Sequence, residues 1–144
     1  MPLGKQSGGG LVLDHMTRKV FTLRIDKKLI VAEDIMDWAH VRHVPVINAT
    51  GEVVGMVSHR DLLAASISSV SRRQGALERK QHLWTIEIES VMRSPVITID
   101  PGATVQEAAR ILRSRKIGCL PVIEDKKLVG IITDYDILGF VTDL

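Results

Sequence analysis

One short string occurs twice in this chain. Gly55-Met56-Val57-Ser58-His59-Arg60-Asp61 returns as Gly130-Ile131-Ile132-Thr133-Asp134-Tyr135-Asp136, and the preceding Val44-Pro45-Val46-Ile47 returns as Leu120-Pro121-Val122-Ile123. Residues 16–63 align with residues 92–138. The offset is 76 at Met16/Met92 and 75 at Gly55/Gly130, because the first copy carries one extra residue in its 48–51 turn. Val20/Val96, Thr22/Thr98, Ala32/Ala108, Ile35/Ile111, Pro45/Pro121, Asp61/Asp136 and Leu63/Leu138 are further identical pairs. Two half-size copies fit 144 residues better as units sharing one core than as independent domains. Two copies are too few for a solenoid and point to a pseudo-twofold pair.

Composition limits what such a pair can do. The chain is 45% hydrophobic but holds only two Phe, two Trp and one Tyr, so its core must be built from Val, Ile, Leu and Ala. A net charge of +2 gives no strong pull on nucleic acid. Cys119 is the single cysteine, which excludes an intrachain disulfide and suits a reducing cytoplasm. No apolar run reaches membrane-spanning length. Residues 1–10 are Gly-rich, lack an apolar signal core and read as a flexible tail.

The second copy is the easier to read. Residues 96–99 form a short β-rich run ended by Asp100-Pro101-Gly102. Thr104 and Glu107 make a capping box. Val105, Ala108, Ala109 and Leu112 then fall on one helical face. Gly118 marks the expected helix stop. Residues 120–123 and 128–132 read as a hairpin around a polar turn, with Pro121 near a strand start where no ladder donor is needed. Thr133 opens a last helix. The unit is β-α-β-β-α, and the fold class expected is α+β.

The first copy keeps this order with weaker local signals. Lys28 stands where the second copy has Thr104, so a less regular first helix is expected. The domain reading is a tail at 1–10, repeat 1 at 11–70, a linker at 71–85 made basic by Arg72, Arg73, Arg79 and Lys80, and repeat 2 at 86–144. The basic linker reads as a solvated face.

The duplicated string carries the chemistry. A Ser/Thr-x-x-Asp sequence that closes an apolar strand and opens a helix places backbone N–H groups and a positive dipole end at one junction, which favours phosphate. Ser58 and Thr133 offer hydroxyls, Asp61 and Asp136 are acceptors suited to paired sugar hydroxyls, and Arg60 adds charge in the first copy. Seen once, the pattern is ordinary helix capping. Its recurrence after the same Pro-Val-Ile strand shifts the balance toward a binding site.

These strings together resemble the tandem cystathionine-β-synthase (CBS) domain pair, or Bateman module, over residues 11–144. The resemblance implies two β-α-β-β-α repeats packed sheet to sheet around a pseudo-twofold axis, no catalytic residues, and two clefts for an adenosine ligand. AMP, ADP or ATP is the expected ligand, S-adenosylmethionine or NAD the alternative, and no cofactor is required. It further implies that each cleft mixes both copies. Thr133 and Asp136 would face Phe21, Thr22, Val41, Arg42, His43 and Pro45, while Ser58, Arg60 and Asp61 would face Ile97, Ile117, Gly118, Cys119 and Pro121. The resemblance also implies a homodimer and a regulated partner protein of unknown identity.

Other residues read plainly. His40 and His43 lie three apart, but no Cys or carboxylate cluster completes a metal set. Cys119 aligns with His43 and reads as a packing residue. Trp38 and Trp84 read as hydrophobic fillers ahead of interface anchors. No nucleophile elbow, Walker loop or GxGxxG is present, which argues against an enzyme. A structural or dimerisation module with vestigial clefts is the competing reading.

Overall fold

The computed structural model describes residues 10–69 and 76–144. Most of the Gly-rich tail, residues 1–9, lies outside the described residues, as do Arg72 and Arg73 of the basic linker. The fold is α+β, with two small sheets.

Chain order and packing part company. One compact unit is the described part of Phe21–Val96; the other joins the described part of Met1–Val20 to Ile97–Leu144. We refer to them as the contiguous and the split unit.

In the contiguous unit, β1 (Leu23–Arg24) runs parallel to β2 (His43–Ile47), which pairs antiparallel with β3 (Val53–Ser58). Around this sheet come α2 (Leu29–Ala39), α3 (His59–Ser69), α4 (Ala76–Leu83) and a 3-10 turn at Ile88–Ser90. Leu23, Leu29, Ala32, Val44, Val46, Val57, Leu62, Leu83 and Ile88 are buried together. The split unit holds α1 (Val12–His15), α5 (Val105–Arg115), the hairpin of β4 (Cys119–Glu124) and β5 (Lys127–Thr133), and α6 (Asp134–Thr142). Its core is Val12, Met16, Ile99, Ala108, Leu112, Leu120, Val122 and Ile132.

The two hairpins repeat in register. Val46 faces Gly55 as Val122 faces Gly130, and both ladders slip one residue later. The turns differ as the offset requires. Asn48 holds the longer first turn through bonds from Thr50 N and Glu52 N, with Gly51 at φ 86°. The second is a two-residue turn at Asp125 and Lys126, both left-handed, the geometry that matches strand twist in a tight hairpin.

The lead-in segments cross over. Residues 10–17 lead into the first copy but join the unit of the second: Val12 and Met16 are buried there, and Thr17 pairs with Ile131. Residues 86–93 open the second copy but join the unit of the first, where Ile88 is buried and Arg93 pairs with Met56. Each crossing has the same fastening. Gly10 O accepts from Val105 N at the start of α5, and Ile86 O accepts from Leu29 N at the start of α2, both at 2.8 Å. Full burial of Val12 and Ile88 stabilises each unit by about 1.5–3 kcal/mol per side chain.

Four expectations need correction. The helix stop at Gly118 is set earlier, because α5 ends at a left-handed Lys116 with φ 55° and α2 ends likewise at His40 with φ 56°. A following N–H closes each end, Ile117 N to Leu112 O and Val41 N to Met36 O. The first helix is as long as its counterpart, 11 residues each, although Lys28 gives no side-chain cap where Thr104 accepts from Glu107 N. The 96–99 run narrows to one bridge, Ile99 with Val122, where the first copy has the Leu23–Arg24 strand. Trp38 and Trp84 are 74% and 59% exposed and fill no core.

Candidate functional site

Both duplicated strings build the same local arrangement. At the start of α3, Ser58 Oγ accepts from Asp61 N at 3.1 Å and Ser58 N donates to Asp61 Oδ2 at 3.0 Å. At the start of α6, Thr133 Oγ1 accepts from Asp136 N at 3.2 Å and Thr133 N donates to Asp136 Oδ2 at 2.9 Å. These reciprocal bonds satisfy early helix donors and fix each carboxylate at a positive dipole end.

The preceding segment of each copy lies against its own helix start. Arg42 O accepts from His59 N at 2.7 Å, and Gly118 O accepts from Asp134 N at 3.1 Å. His43 is the ladder partner of Ser58, and Cys119 of Thr133. Val41 and Ile117 are half-buried just past the left-handed caps. Pro45 and Pro121 are buried in β2 and β4. Ile97 packs against the split core, and Phe21 meets Trp38 edge-on at 5.5 Å. Thr22 and Arg60 are exposed.

The second carboxylate oxygen shows what the motif alone did not. Asp61 Oδ1 accepts from Arg93 Nε at 3.2 Å, with Arg93 60% exposed and Asp61 12%. Asp136 Oδ1 accepts from Thr17 Oγ1 at 3.0 Å. Thr17 and Arg93 occupy the same repeat position, each directly after the paired Met16 and Met92. That adjacency was the available signal for both.

The charge beside the two starts differs. Arg93 is bonded to Asp61 and Arg60 precedes it in sequence, whereas Asp134 and Tyr135 follow Thr133. Burial pushes the Cys119 thiol up to about 12, and the negative charges of Asp136 and Asp134 add to the rise. Such a thiol is protonated at neutral pH and has no nucleophilic or redox reactivity.

The paired glycines are packing positions. A Cβ on Gly55 would lie 2.3 Å from Met92 Sδ, and one on Gly130 would lie 2.8 Å from Met16 Sδ and 2.9 Å from Thr17 O. The lead-in methionines lie where these side chains would be, which explains why Met16/Met92 and Gly55/Gly130 recur together.

A duplicated β-α-β-β-α architecture with twin Ser/Thr-x-x-Asp helix starts defines a class of paired α+β repeats. The CBS domain model matches residues 12–68 and 88–143, and the chain belongs to the CBS domain family. It is 30% identical over 129 residues to a CBS domain-containing protein of Dictyostelium discoideum, covering 89% of this chain and 88% of that one. Among solved structures, a CBS domain pair in complex with 5′-methylthioadenosine and S-adenosyl-L-methionine superposes with TM-score 0.77 at 23% identity, over 92% of this chain and 96% of that one. A second, in complex with AMP, superposes with TM-score 0.76 at 24% identity, over 94% and 98%. Other curated relatives are longer, and the matched stretch makes up 31% and 23% of two of them. Among the described residues, no helix is long and apolar enough to cross a membrane.

Proposed function

We propose that the chain is a regulatory module that binds adenosine ligands of the AMP, ADP or ATP type at its two helix starts and passes the bound state to a partner protein in the cytoplasm. The twin carboxylates carry this reading. Each has one oxygen tied to backbone and the other held by an exposed side chain that an incoming sugar hydroxyl can join or displace. The adenosine compounds held by structural neighbours support it, as does the presence of this unit inside longer relatives. Leu63 and Leu138, at the same repeat position, are 45% and 62% exposed and support association into a homodimer. Isothermal calorimetry with AMP, ADP, ATP and S-adenosylmethionine tests the binding. No heat and no thermal shift with any of them overturns the reading.

The satisfied capping bonds favour a second reading, a structural module whose aspartates only cap helices. Under it, Asp61→Ala and Asp136→Ala cost stability and leave ligand affinity unchanged.

A further inference from the structure

Thr17 and Arg93 stand at one repeat position, on one carboxylate oxygen each, with different chemistry. A threonine hydroxyl both donates and accepts, so a sugar hydroxyl can add to the Thr17–Asp136 pair without breaking it. A guanidinium only donates. A sugar hydroxyl that donates to Asp61 Oδ1 shares that oxygen with Arg93, since a carboxylate oxygen accepts more than one hydrogen bond.

That sharing places a cation beside the sugar. The contact to Asp61 uses Arg93 Nε and leaves the Nη donors for an anion. The Arg93 side chain is 60% exposed, which makes the pair weak enough to exchange partners. Its backbone stays anchored, since Arg93 N donates to Met56 O at 2.9 Å and Arg93 O accepts from Met56 N at 3.1 Å. The side chain thus reaches out from a fixed point beside the helix start. Arg60 adds positive charge on the same turn. At Asp136 the same position holds the uncharged Thr17, with Asp134 following the cap and Arg18 and Lys19 directly after Thr17 in sequence.

We propose that the residue after the lead-in methionine sets the charge class of ligand that each aspartate accepts. Arg93 makes the Asp61 start selective for a phosphate-bearing adenosine ligand. Thr17 leaves the Asp136 start selective for an uncharged or cationic one, of the thioether or sulfonium type. This rests on the adenosine-ligand reading above and adds to it a division of labour between the two starts.

The test isolates each start by removing the other aspartate. In an Asp136→Ala background, calorimetry is expected to show AMP binding about tenfold or more tighter than adenosine, and Arg93→Thr to bring the two within about threefold. In an Asp61→Ala background, Thr17→Arg is expected to raise AMP over adenosine by about tenfold and to weaken S-adenosylmethionine. Thr17 and Arg93 are exposed, so both variants should fold, and their melting temperatures check this. Arg93→Gln gives a second test if Arg93→Thr melts early. If AMP binds but its preference over adenosine survives loss of the Arg93 charge, the proposal is wrong and the broader reading stands. If neither parent nor variant binds any adenosine compound, both fall.

Discussion

Alanine at the two paired glycines should be tolerated unequally, although the sequence makes them look equivalent. At Gly55 the three atoms nearest the added Cβ all belong to Met92, at 2.3 Å from Sδ, 2.9 Å from Cγ and 3.2 Å from Cβ. A methionine side chain adapts to such crowding by changing rotamer. At Gly130 the added Cβ also meets Thr17 O at 2.9 Å, and that carbonyl accepts from Ile131 N at 2.9 Å. Moving it loosens a strand bridge and cannot be done by a side-chain rotation. Overpacking costs about 1–3 kcal/mol. A weakened backbone hydrogen bond adds about 1 kcal/mol or more. Glycine's lost unfolded-state entropy returns about 0.4–1 kcal/mol in both cases. The expected cost is about 1 kcal/mol for Gly55→Ala and about 3 kcal/mol for Gly130→Ala, read as urea midpoints at constant m-value. A double-mutant cycle sharpens the comparison. Met92→Ala should absorb nearly all the Gly55→Ala penalty, whereas Met16→Ala should leave at least about 1 kcal/mol of the Gly130→Ala penalty in place. Equal costs at the two glycines, or no coupling between Gly55→Ala and Met92→Ala, would show that the lead-in methionines do not set these positions.

Three further outcomes are expected. Because burial raises the Cys119 thiol from its ordinary 9.0 to about 12, the folded state holds that proton longer than the unfolded state does; its contribution is fully present below about pH 9 and is lost as pH rises toward 12. Cys119→Ala should flatten that part of the stability–pH curve, and the native thiol should stay silent to a thiol reagent at neutral pH. Lys116→Gly should stabilise by about 0.5–1 kcal/mol in chemical denaturation, since relief of a left-handed residue outweighs glycine's entropy cost. Ile88→Ala should cost about 2–5 kcal/mol by the same measure, a core-sized penalty for a residue at the start of the second copy that packs in the core of the contiguous unit.

Local chemistry made much of the fold legible. The α5 face, the Thr104 cap, both hairpins and the one-residue offset follow from periodicity and turn residues within a few positions of each other. What stayed hidden was decided at long range or by competition between local signals. Nothing near Val12 or Ile88 says which copy each will complete. Gly118 looks like the helix stop, yet the chain turns at Lys116 because the hydrogen bond from Ile117 N to Leu112 O closes the end first. Trp38 and Trp84 look like core residues by type, but the small aliphatic side chains of the units already fill the space. At the site, Ser58, Asp61, Thr133 and Asp136 were readable because the motif repeats. Thr17 and Arg93 were not, because their types differ and only their position matches.

The crossed lead-ins also set a timetable for biosynthesis. The contiguous unit has its whole chain once Val96 is made, but Val12 and Met16 have no core to enter until residues near Ile131 follow. At about 5–20 residues per second, that leaves their apolar side chains waiting roughly 6–23 s on the nascent chain. Contacts across such sequence separation also slow folding from the denatured state. His15 and Phe140 meet edge-on with ring centroids 4.8 Å apart, so the two segments of the split unit come close at these residues. Opening the chain before Ile97 and tethering residue 144 to residue 10 would make both units continuous. It would remove the wait while preserving each unit's contacts.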